Sequence, residues 1–331
     1  MAPTVALAGN PNSGKTTLFY ELTGSRQHVG NYPGVTVEKK EGTYVRDGFR
    51  LHIVDLPGTY SLTAYSLEEE VARDYLVEKK PEVVINIVDA SNLERNLYLA
   101  IQFLEMGIPI CIALNMIDVA KKRGIKVDVQ KLSSLLGVPV TPTVARSGKG
   151  KKELMDSASQ IAREHRQFTS LKISYGADID PVLSEMENEI ADRDFLTDTY
   201  QARWIALKYL EGDEQIISKG QKVDLDLSNR LREMVRKVSH HLLNTLDTYP
   251  EAMIADQRYG YIKSILKQGV IQHKYDQNRL YSSDRIDKVL TNRFLGPLIM
   301  LAVIAGLYHV TFTYREVPVG VRVGFFGWLG A

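Results

Sequence analysis

A glycine-rich segment near the N-terminus has the residue types and spacing that bind phosphate. "ALAGNPNSGKTTLF" contains Gly9, four further residues and then Gly14-Lys15-Thr16, between an apolar run and a helical pattern. Glycine is needed there because backbone N–H groups close around phosphate oxygens only where no Cβ intervenes. The lysine is expected to reach the β- and γ-phosphates, and the threonine hydroxyl to bind Mg²⁺. The predicted phosphate contacts are Gly9, Asn10, Pro11, Asn12, Ser13, Gly14, Lys15, Thr16 and Thr17.

A second motif distinguishes between the purine bases. In "ALNMID", Asn115 and Asp118 follow a buried apolar run, where an Asn-x-x-Asp guanine-binding motif belongs. A carboxylate accepts hydrogen bonds from N1–H and the N2 amine of guanine, whereas adenine leaves it unpaired, and such sites discriminate by roughly 10⁴ or more. An ATP-driven enzyme is therefore the disfavoured alternative. The other predicted base contacts are Met116, the Ala145 N–H as donor to guanine O6, and Arg146.

Two loops carry residues predicted to respond to the γ-phosphate. "IVDLPGTY" follows an apolar strand, so Asp55 is expected to hold Mg²⁺ through water and the Gly58 N–H to contact the phosphate. "NYPGVTVE" places Thr36 where a second Mg²⁺ ligand belongs. Loops of this kind are ordered by the γ-phosphate and released after hydrolysis. The predicted Mg²⁺ ligands are Thr16, Thr36 and Asp55, and the predicted catalytic residues are Lys15, Thr36, Gly58 and Asn12.

The residue after Gly58 is Thr59, although Ras-like enzymes often place a water-orienting glutamine there. The sequence names no arginine that would supply positive charge to the reaction. Asn12 lies within the phosphate motif, where its amide oxygen is suited to hold K⁺ against the phosphates. The sequence therefore predicts hydrolysis that is slow unaided and stimulated by K⁺.

The elements that must position these residues follow an α/β pattern. Residues 1–166 alternate short apolar β-rich runs with amphipathic helical stretches, which predicts a Ras-like P-loop GTPase with a mostly parallel sheet. Asp47-Gly48 predicts a hairpin, and with it one antiparallel edge strand. The predicted strands are residues 4–9, 42–46, 50–56, 83–89, 109–115 and 138–142.

Strand patterns end near Ile173, and apolar residues then recur at helical spacing as far as Asp276. Trp204, Leu207 and Leu210 mark one apolar face. The pattern predicts a separate all-helical domain whose charged residues lie on solvated faces.

Composition limits the classes of function. The chain has 331 residues, with 41 basic against 40 acidic side chains and a net charge of +1. This balance disfavours wholesale nucleic-acid binding, which needs a basic excess on one face. The single cysteine, Cys111, lies in an apolar run, so it is expected to pack as a small hydrophobic residue in a reducing compartment.

Residues 294–312 form an uncharged stretch, "FLGPLIMLAVIAGLYHVTF". Its nineteen residues would span roughly 30 Å as a helix, the thickness of a bilayer core. A transmembrane helix is therefore predicted, with a buried core helix as the alternative. More basic residues precede the stretch than follow it, which predicts that residues 1–293 lie in the cytoplasm. Residues 278–293 are predicted to form a juxtamembrane amphipathic helix.

Several segments together resemble the FeoB family of bacterial ferrous iron transport proteins. They are "GNPNSGKTTLF", "GNYPGVTVEKKEG", "VDLPGTYSLTAYSLEE", "LNMID", "RWIALKYLEGD" and "SDRIDKVLTNRFLGPLIM". The resemblance extends from residue 4 to about residue 312, and the family also uses an asparagine at the Asn12 position for K⁺. Tyr20 and Val144 depart from the pattern, because the family commonly has asparagine and serine there.

The resemblance implies a domain order and a location. It implies a GTP-binding domain over residues 1–168, a helical spacer over 169–277 that favours GDP binding, and an inner-membrane location with residues 1–293 on the cytoplasmic side. Residues 313–331 would begin a membrane domain, truncated here, that carries Fe²⁺.

The expected function is GTP binding and hydrolysis that regulates or drives Fe²⁺ uptake, with GTP or GDP, Mg²⁺ and K⁺ bound. The expected partners are the membrane and the downstream membrane domain, without nucleic acid; homo-oligomerisation stays open. The alternative is a membrane-associated GTPase of the ribosome-assembly or RNA-modifying type. That alternative would predict a basic patch after the GTP-binding domain, and the sequence shows none.

Overall fold

The computed structural model describes residues 2–24, 27–32, 35–46, 49–63, 66–164, 168–273, 290–291 and 295–313. The chain forms two compact units, Met1–Lys274 and Tyr275–Ala331. Three predictions fall outside the described residues: the Asp47-Gly48 turn, the juxtamembrane helix at 278–293 apart from residues 290–291, and the tail at 313–331 apart from residue 313.

The first unit is built on a seven-stranded sheet with the strand order β2-β3-β4-β1-β5-β6-β8. Its strands are β1 (Thr4–Gly9), β2 (Gln27–Asn31), β3 (Glu38–Arg46), β4 (Phe49–Asp55), β5 (Val83–Asp89), β6 (Ile110–Asn115) and β8 (Val140–Pro142). Strands β4, β1, β5, β6 and β8 are parallel, whereas β3 is antiparallel to both of its neighbours. A mostly parallel sheet is thus confirmed.

The antiparallel strand was predicted at the edge of the sheet, and this prediction was wrong, because the antiparallel strand β3 is second from the edge. The edge of the sheet is β2, which the sequence analysis did not predict, and β3 lies inside it. The reason is local: all five residues of β2, "QHVGN", are exposed, so its sequence carries no apolar alternation.

Among the described residues, the helices that alternate with these strands along the chain are α1 (Lys15–Thr23), α2 (Leu67–Lys79), α3 (Leu93–Glu105), α4 (Ile117–Lys122), α5 (Val129–Leu136) and α6 (Lys151–Glu164). Helices α1 and α6 pack on one face of the sheet, and α2, α3 and α5 pack on the other. Local signals fix the helix starts. The Ser66 side chain accepts a hydrogen bond from the Glu69 N–H and begins α2, whose first turn carries three glutamates that favour a helix N-terminus.

In the described part of the chain, these are followed by the helices α7 (Asp180–Asp192), α8 (Ala202–Leu210), α9 (Glu214–Val223), α10 (Leu225–Leu246) and α11 (Pro250–Ile265). The predicted apolar face of α8 is confirmed, because Trp204, Leu207 and Leu210 are all buried. One apolar core runs from the α3 side of the sheet into these helices. The domain boundary at residues 168/169 stays a prediction.

The expectation that charged residues of the helical segment lie on solvated faces was wrong at four described positions: Lys208, Glu211, Asp213 and Arg258 are buried. Arg258 pairs with Glu211 and with Glu105 of α3, and Lys208 also pairs with Glu211. Asp213 pairs with Arg73 of α2, so these charges are balanced inside the protein. Buried charges require such partners, and tertiary packing supplies them here.

The helical segment also contains a short strand that the sequence did not indicate. Strand β9 (Ile271–His273) pairs antiparallel with β7 (Ile125–Val127). The Asp128 N–H donates to the Val270 carbonyl at 2.8 Å, which extends the pairing toward α5. Three residues are too few to show a period-two pattern.

The predicted role of Cys111 is confirmed. It is fully buried in β6, and burial raises the pKa of its thiol to about 12. The thiol therefore stays protonated and packs as a small apolar group.

In the second unit, the described residues include α12 (Leu295–Thr313), which leaves many apolar side chains exposed. Among the described residues, no helix combines the length and the apolar character needed to cross a bilayer. The transmembrane helix predicted over 294–312 is therefore not confirmed.

Candidate nucleotide-binding site

The predicted site gathers at one edge of the sheet, where the parallel strands end. Strand β1 ends at Gly9, β4 at Asp55 and β6 at Asn115. The carboxyl ends of parallel strands are the usual place for ligands in α/β folds, because the loops that follow converge there. The three predicted motifs thus lie at the same end of the sheet, although 106 positions separate Gly9 from Asn115 in the sequence.

The phosphate loop (residues 9–14) connects β1 to α1 and is closely packed. Gly14 has φ of +89°, and a Cβ on it would lie 2.2 Å from Asn115 Nδ2. A Cβ on Gly9 would lie 2.6 Å from the Ile87 carbonyl oxygen. Both glycines are therefore required, because neither position has room for a Cβ, and Gly14 also has a left-handed backbone conformation that favours glycine. The resulting turn directs the first amides of α1 toward the loop, which suits an anion.

Lys15 and Asp55 meet at the mouth of this loop. Lys15 Nζ lies 2.6 Å from Asp55 Oδ1, so the predicted phosphate ligand and the predicted Mg²⁺ ligand are in contact. Burial raises the pKa of Asp55, and the Lys15 ammonium opposes that shift. Thr16, which carries a hydroxyl, is exposed and follows Lys15 in the first turn of α1. A hydroxyl and a carboxylate are the oxygen ligands that Mg²⁺ prefers, so these residues fit a magnesium ion.

The Gly58 loop (residues 56–63) packs directly against the phosphate loop. The Thr59 N–H donates to the Gly9 carbonyl at 3.3 Å, and a Cβ on Gly58 would lie 3.5 Å from Pro11. Thr59 is only 3 % exposed. Its side chain is therefore buried, and it lacks the amide with which a glutamine orients water.

The Thr36 loop is held near Asp55 by a residue that the sequence analysis missed. The Tyr32 hydroxyl donates to the Asp55 carbonyl at 3.2 Å, and the Tyr32 N–H donates to the Val37 carbonyl at 2.9 Å. Burial raises the pKa of Tyr32, so the hydroxyl stays protonated as a donor. Thr36 itself is exposed, and within the described residues no hydrogen bond joins it to the phosphate loop. Its role stays a prediction.

Asn115 connects three parts of the site. Its Nδ2 donates to the Ser13 carbonyl at 2.8 Å, and its Oδ1 accepts from the Ala145 N–H at 2.9 Å. The side chain is 2 % exposed, so these bonds fix the phosphate loop against the loop after β8. The Ala145 N–H, predicted to donate to guanine O6, therefore donates to Asn115 in this structure.

The remaining predicted base contacts lie on the open side of the site. Met116 has φ of +58° and immediately precedes α4. Asp118 lies in the first turn of α4, and Asp118 and Arg146 are both exposed. The side chains are thus available to a ligand, and their contacts with a base stay predictions.

Two polar side chains of the phosphate loop have no partner within the part of the chain that the structure describes. Asn10 is 3 % exposed and Ser13 is 1 % exposed, yet neither side chain forms a hydrogen bond there. Asn12, the predicted K⁺ ligand, is exposed with φ of +65°. Unpaired buried polar groups are costly, so the loop is prepared for polar contacts.

Arg73 lies on α2, the helix after the Gly58 loop, and the sequence did not indicate it as a functional residue. Arg73 is fully buried and donates to Asp213 at the start of α9 at 2.6 Å. No sequence signal indicates this contact, because an arginine on an amphipathic helix is typical of a solvated face.

Comparison with known proteins gives a consistent result. Residues 3–158 match the family profile described as ferrous iron transport protein B, and residues 175–271 match the FeoB cytosolic helical domain. An Fe(2+) transport protein A/Fe(2+) transporter FeoB fusion protein from Porphyromonas gingivalis is 40% identical over 332 residues, covering 99% of this chain and 39% of that protein. An Fe(2+) transporter FeoB from Staphylococcus aureus (strain MSSA476) is 40% identical over 326 residues, covering 97% and 46%.

A solved structure has the same fold. The cytosolic domain of the T. maritima FeoB iron transporter in GDP form I is 35% identical, with a TM-score of 0.68, and the match covers 82% of this chain and 99% of that one. The chain spans less than half the length of the two curated relatives above.

Proposed function

Because this chain belongs to the FeoB family of ferrous iron transport proteins, we propose that its site binds GTP and hydrolyses it to GDP and phosphate. The observation that carries the proposal is the contact between Lys15 and Asp55 at the mouth of a loop where both glycines are required. Such a constellation suits a polyphosphate with a bound Mg²⁺.

Each residue then has a role in the reaction. Lys15 would pair with the β- and γ-phosphate oxygens, and the Gly58 N–H would donate to the γ-phosphate. Thr16, Thr36 and Asp55 would hold Mg²⁺, which neutralises charge on the phosphates. Asp118 would select guanine, and Asn12 would hold K⁺ beside the phosphates. Positioning and electrostatic stabilisation dominate phosphoryl transfer, so no side chain needs to act as a nucleophile.

Hydrolysis rates test the enzymatic part. We expect release of phosphate from GTP and not from ATP in Mg²⁺ and K⁺, and a loss of at least tenfold in Lys15→Ala. Lys152→Ala, an exposed lysine on α6, is the matched control and should retain the full rate. Circular dichroism of each variant verifies folding. Equal rates with ATP and GTP would contradict the proposal.

We propose further that the nucleotide state of this site regulates or drives Fe²⁺ uptake at the inner membrane. The support is family membership together with the names of the curated relatives, which are Fe(2+) transporters. The uncharged sequence of residues 294–312 supports membrane attachment as a transmembrane helix, with residues 1–293 on the cytoplasmic side.

Metal uptake by cells tests the transport part. Lys15→Ala in the chromosomal gene should reduce uptake of radioactive Fe²⁺ and leave uptake of Mn²⁺ unchanged, with Lys152→Ala as the control. Unchanged Fe²⁺ uptake in a strain that expresses the Lys15→Ala protein at a normal level would contradict a role for this site in transport.

A further inference from the structure

Arg95, in the first turn of α3, lies against the Gly58 loop and has no role in the motifs described above. Its guanidinium carbon is 4.2 Å from the centroid of the Tyr60 ring. A cation over an aromatic face within about 6 Å of the centroid is attracted to the ring. The contact joins two elements that are 35 positions apart in the sequence and both adjoin the phosphate loop.

The part of α3 that carries Arg95 is held by its own hydrogen bonds. The Asp89 N–H donates to Asn96 Oδ1 at 3.2 Å, and Asn96 Nδ2 donates to the Asn92 carbonyl at 3.0 Å. The Asp89 carboxylate accepts from the Ser91 N–H at 2.7 Å. Arg95 therefore extends from a fixed turn rather than from a mobile loop.

A small polar cavity of about 180 Å³ separates this turn from the phosphate loop. Its walls are residues 10–13 of the phosphate loop, Tyr60, and the α3 turn with Asp89, Asn92, Arg95 and Asn96. Asn10, whose side-chain amide has no hydrogen-bond partner among the described residues, also lines this cavity. Space of this size and polarity accommodates ordered water between Arg95 and the phosphate loop.

The Gly58 loop is thus contacted from two sides. On one side the Thr59 N–H donates to the Gly9 carbonyl, and a Cβ on Gly58 would be in van der Waals contact with Pro11. On the other side Tyr60 stacks on Arg95 of α3. Residue 59 is a buried threonine rather than an exposed glutamine, so we expect the backbone of this loop to help position the attacking water. The rate of hydrolysis should therefore depend more on the position of that backbone here than in an enzyme with a glutamine.

We infer that Arg95 is a positioning residue for GTP hydrolysis: by stacking on Tyr60 it holds the backbone at Gly58 and Thr59 against the phosphate loop. Arg95 acts through Tyr60 and does not bind the nucleotide. The inference rests on the proposed GTPase function, and it assigns a cis-acting arginine to a site in which the sequence alone names none.

Steady-state kinetics of the whole chain test the inference. Arg95→Ala and Tyr60→Ala should each lower kcat for GTP by about two- to fivefold, the size expected from an exposed cation–π contact. KM and the Kd of GDP should not change, because ground-state binding does not use the pair. The double variant should be no slower than the slower single variant, since both substitutions remove one contact.

Two further variants separate positioning from general damage. Tyr60→Phe keeps the ring and should retain the full rate, and Arg232→Ala, an exposed arginine on α10, should do the same. Additive effects in the double variant, an unchanged kcat in Arg95→Ala, or a loss confined to KM would overturn the inference. If the unsubstituted chain hydrolyses no GTP, the proposed function itself fails; if it does and Arg95→Ala matches it, only the inference fails.

Discussion

Arg73 Nη1 lies 2.6 Å from Asp213 Oδ2, and both side chains are almost completely buried. Arg73 belongs to α2, directly after the Gly58 loop, and Asp213 caps the first turn of α9 by accepting from the Ile216 N–H. The pair therefore links the helix that follows a predicted nucleotide-responsive loop to the helical segment. Movement of α2 cannot leave this contact unchanged.

Removing Arg73 should destabilise the first unit strongly. Arg73→Ala leaves the Asp213 carboxylate buried without its cation, which costs about 3–5 kcal/mol in comparable cases. The matched control is Arg230→Ala, which breaks a half-exposed pair with Glu189 and should cost at most about 1 kcal/mol. Urea denaturation monitored by circular dichroism gives both values. Similar losses in the two variants would show that the Arg73 pair is not the strong contact described.

Glu211 predicts a component of acid unfolding. Burial opposes its ionisation, but Arg258 and Lys208 beside it outweigh burial and lower the pKa of Glu211 to about 2, from the ordinary value of 4.5. The folded protein therefore binds this proton less readily than the unfolded chain. The stabilising contribution is complete above pH 4.5 and is lost as the pH falls toward 2.

The comparison of Glu211→Gln with the unsubstituted chain isolates that component. The variant should be less stable at pH 7, and the difference in unfolding free energy should shrink as the pH falls from 4.5 toward 2. Urea denaturation at several pH values measures it. Glu153→Gln, on the exposed side of α6, should show no such difference. If the difference in unfolding free energy between Glu211→Gln and the unsubstituted chain stays constant with pH, the lowered pKa of Glu211 does not contribute to acid unfolding.

Asp118 should determine the base. An asparagine at this position donates as well as accepts, so Asp118→Asn replaces an acceptor for the guanine N2 amine with a donor suited to the O2 carbonyl of xanthine. We expect preference to move from GTP to XTP by several orders of magnitude, given a parent discrimination of roughly 10⁴. Competition binding with GDP and XDP measures the change. An unaltered GDP affinity would show that Asp118 does not contact the base.

Asn12 should determine the response to K⁺. Because Asn12 has φ of +65°, glycine keeps its backbone conformation whereas alanine strains it, so Asn12→Gly removes the amide most cleanly. The unsubstituted chain should hydrolyse GTP faster in K⁺ than in Na⁺, and Asn12→Gly should be equally slow in both. Phosphate-release rates at matched ionic strength provide the test, and equal rates of the unsubstituted chain in the two salts would end the K⁺ proposal.

Much of the sheet could be predicted from sequence because its central strands are buried on both faces. β1 and β5 have the predicted bounds, and β4 and β6 differ from prediction by a single residue at the ends. Continuous apolar runs of this length are typical of parallel strands. β2 could not be predicted, since all of its residues are exposed and show no apolar alternation, and it is extended because it pairs with β3.

The site likewise has a part that the sequence predicted and a part that it did not. Local motifs predicted the phosphate loop, and the structure brings Lys15, Asp55 and Asn115 to it. Arg73, Arg95 and Tyr32 could not be predicted, because their partners are distant in the sequence or outside any motif. A buried arginine and a solvated one have the same helical periodicity, so only tertiary structure distinguishes them.

Calorimetric titration of the chain with GDP and with ADP in Mg²⁺ most directly tests the central claim that this is a guanine-nucleotide site. We expect one GDP bound per chain and no measurable binding of ADP at the same concentration. Lys15→Ala should weaken GDP binding, whereas Lys152→Ala should not. Equal binding of the two nucleotides, or GDP binding that does not depend on Lys15, would contradict it.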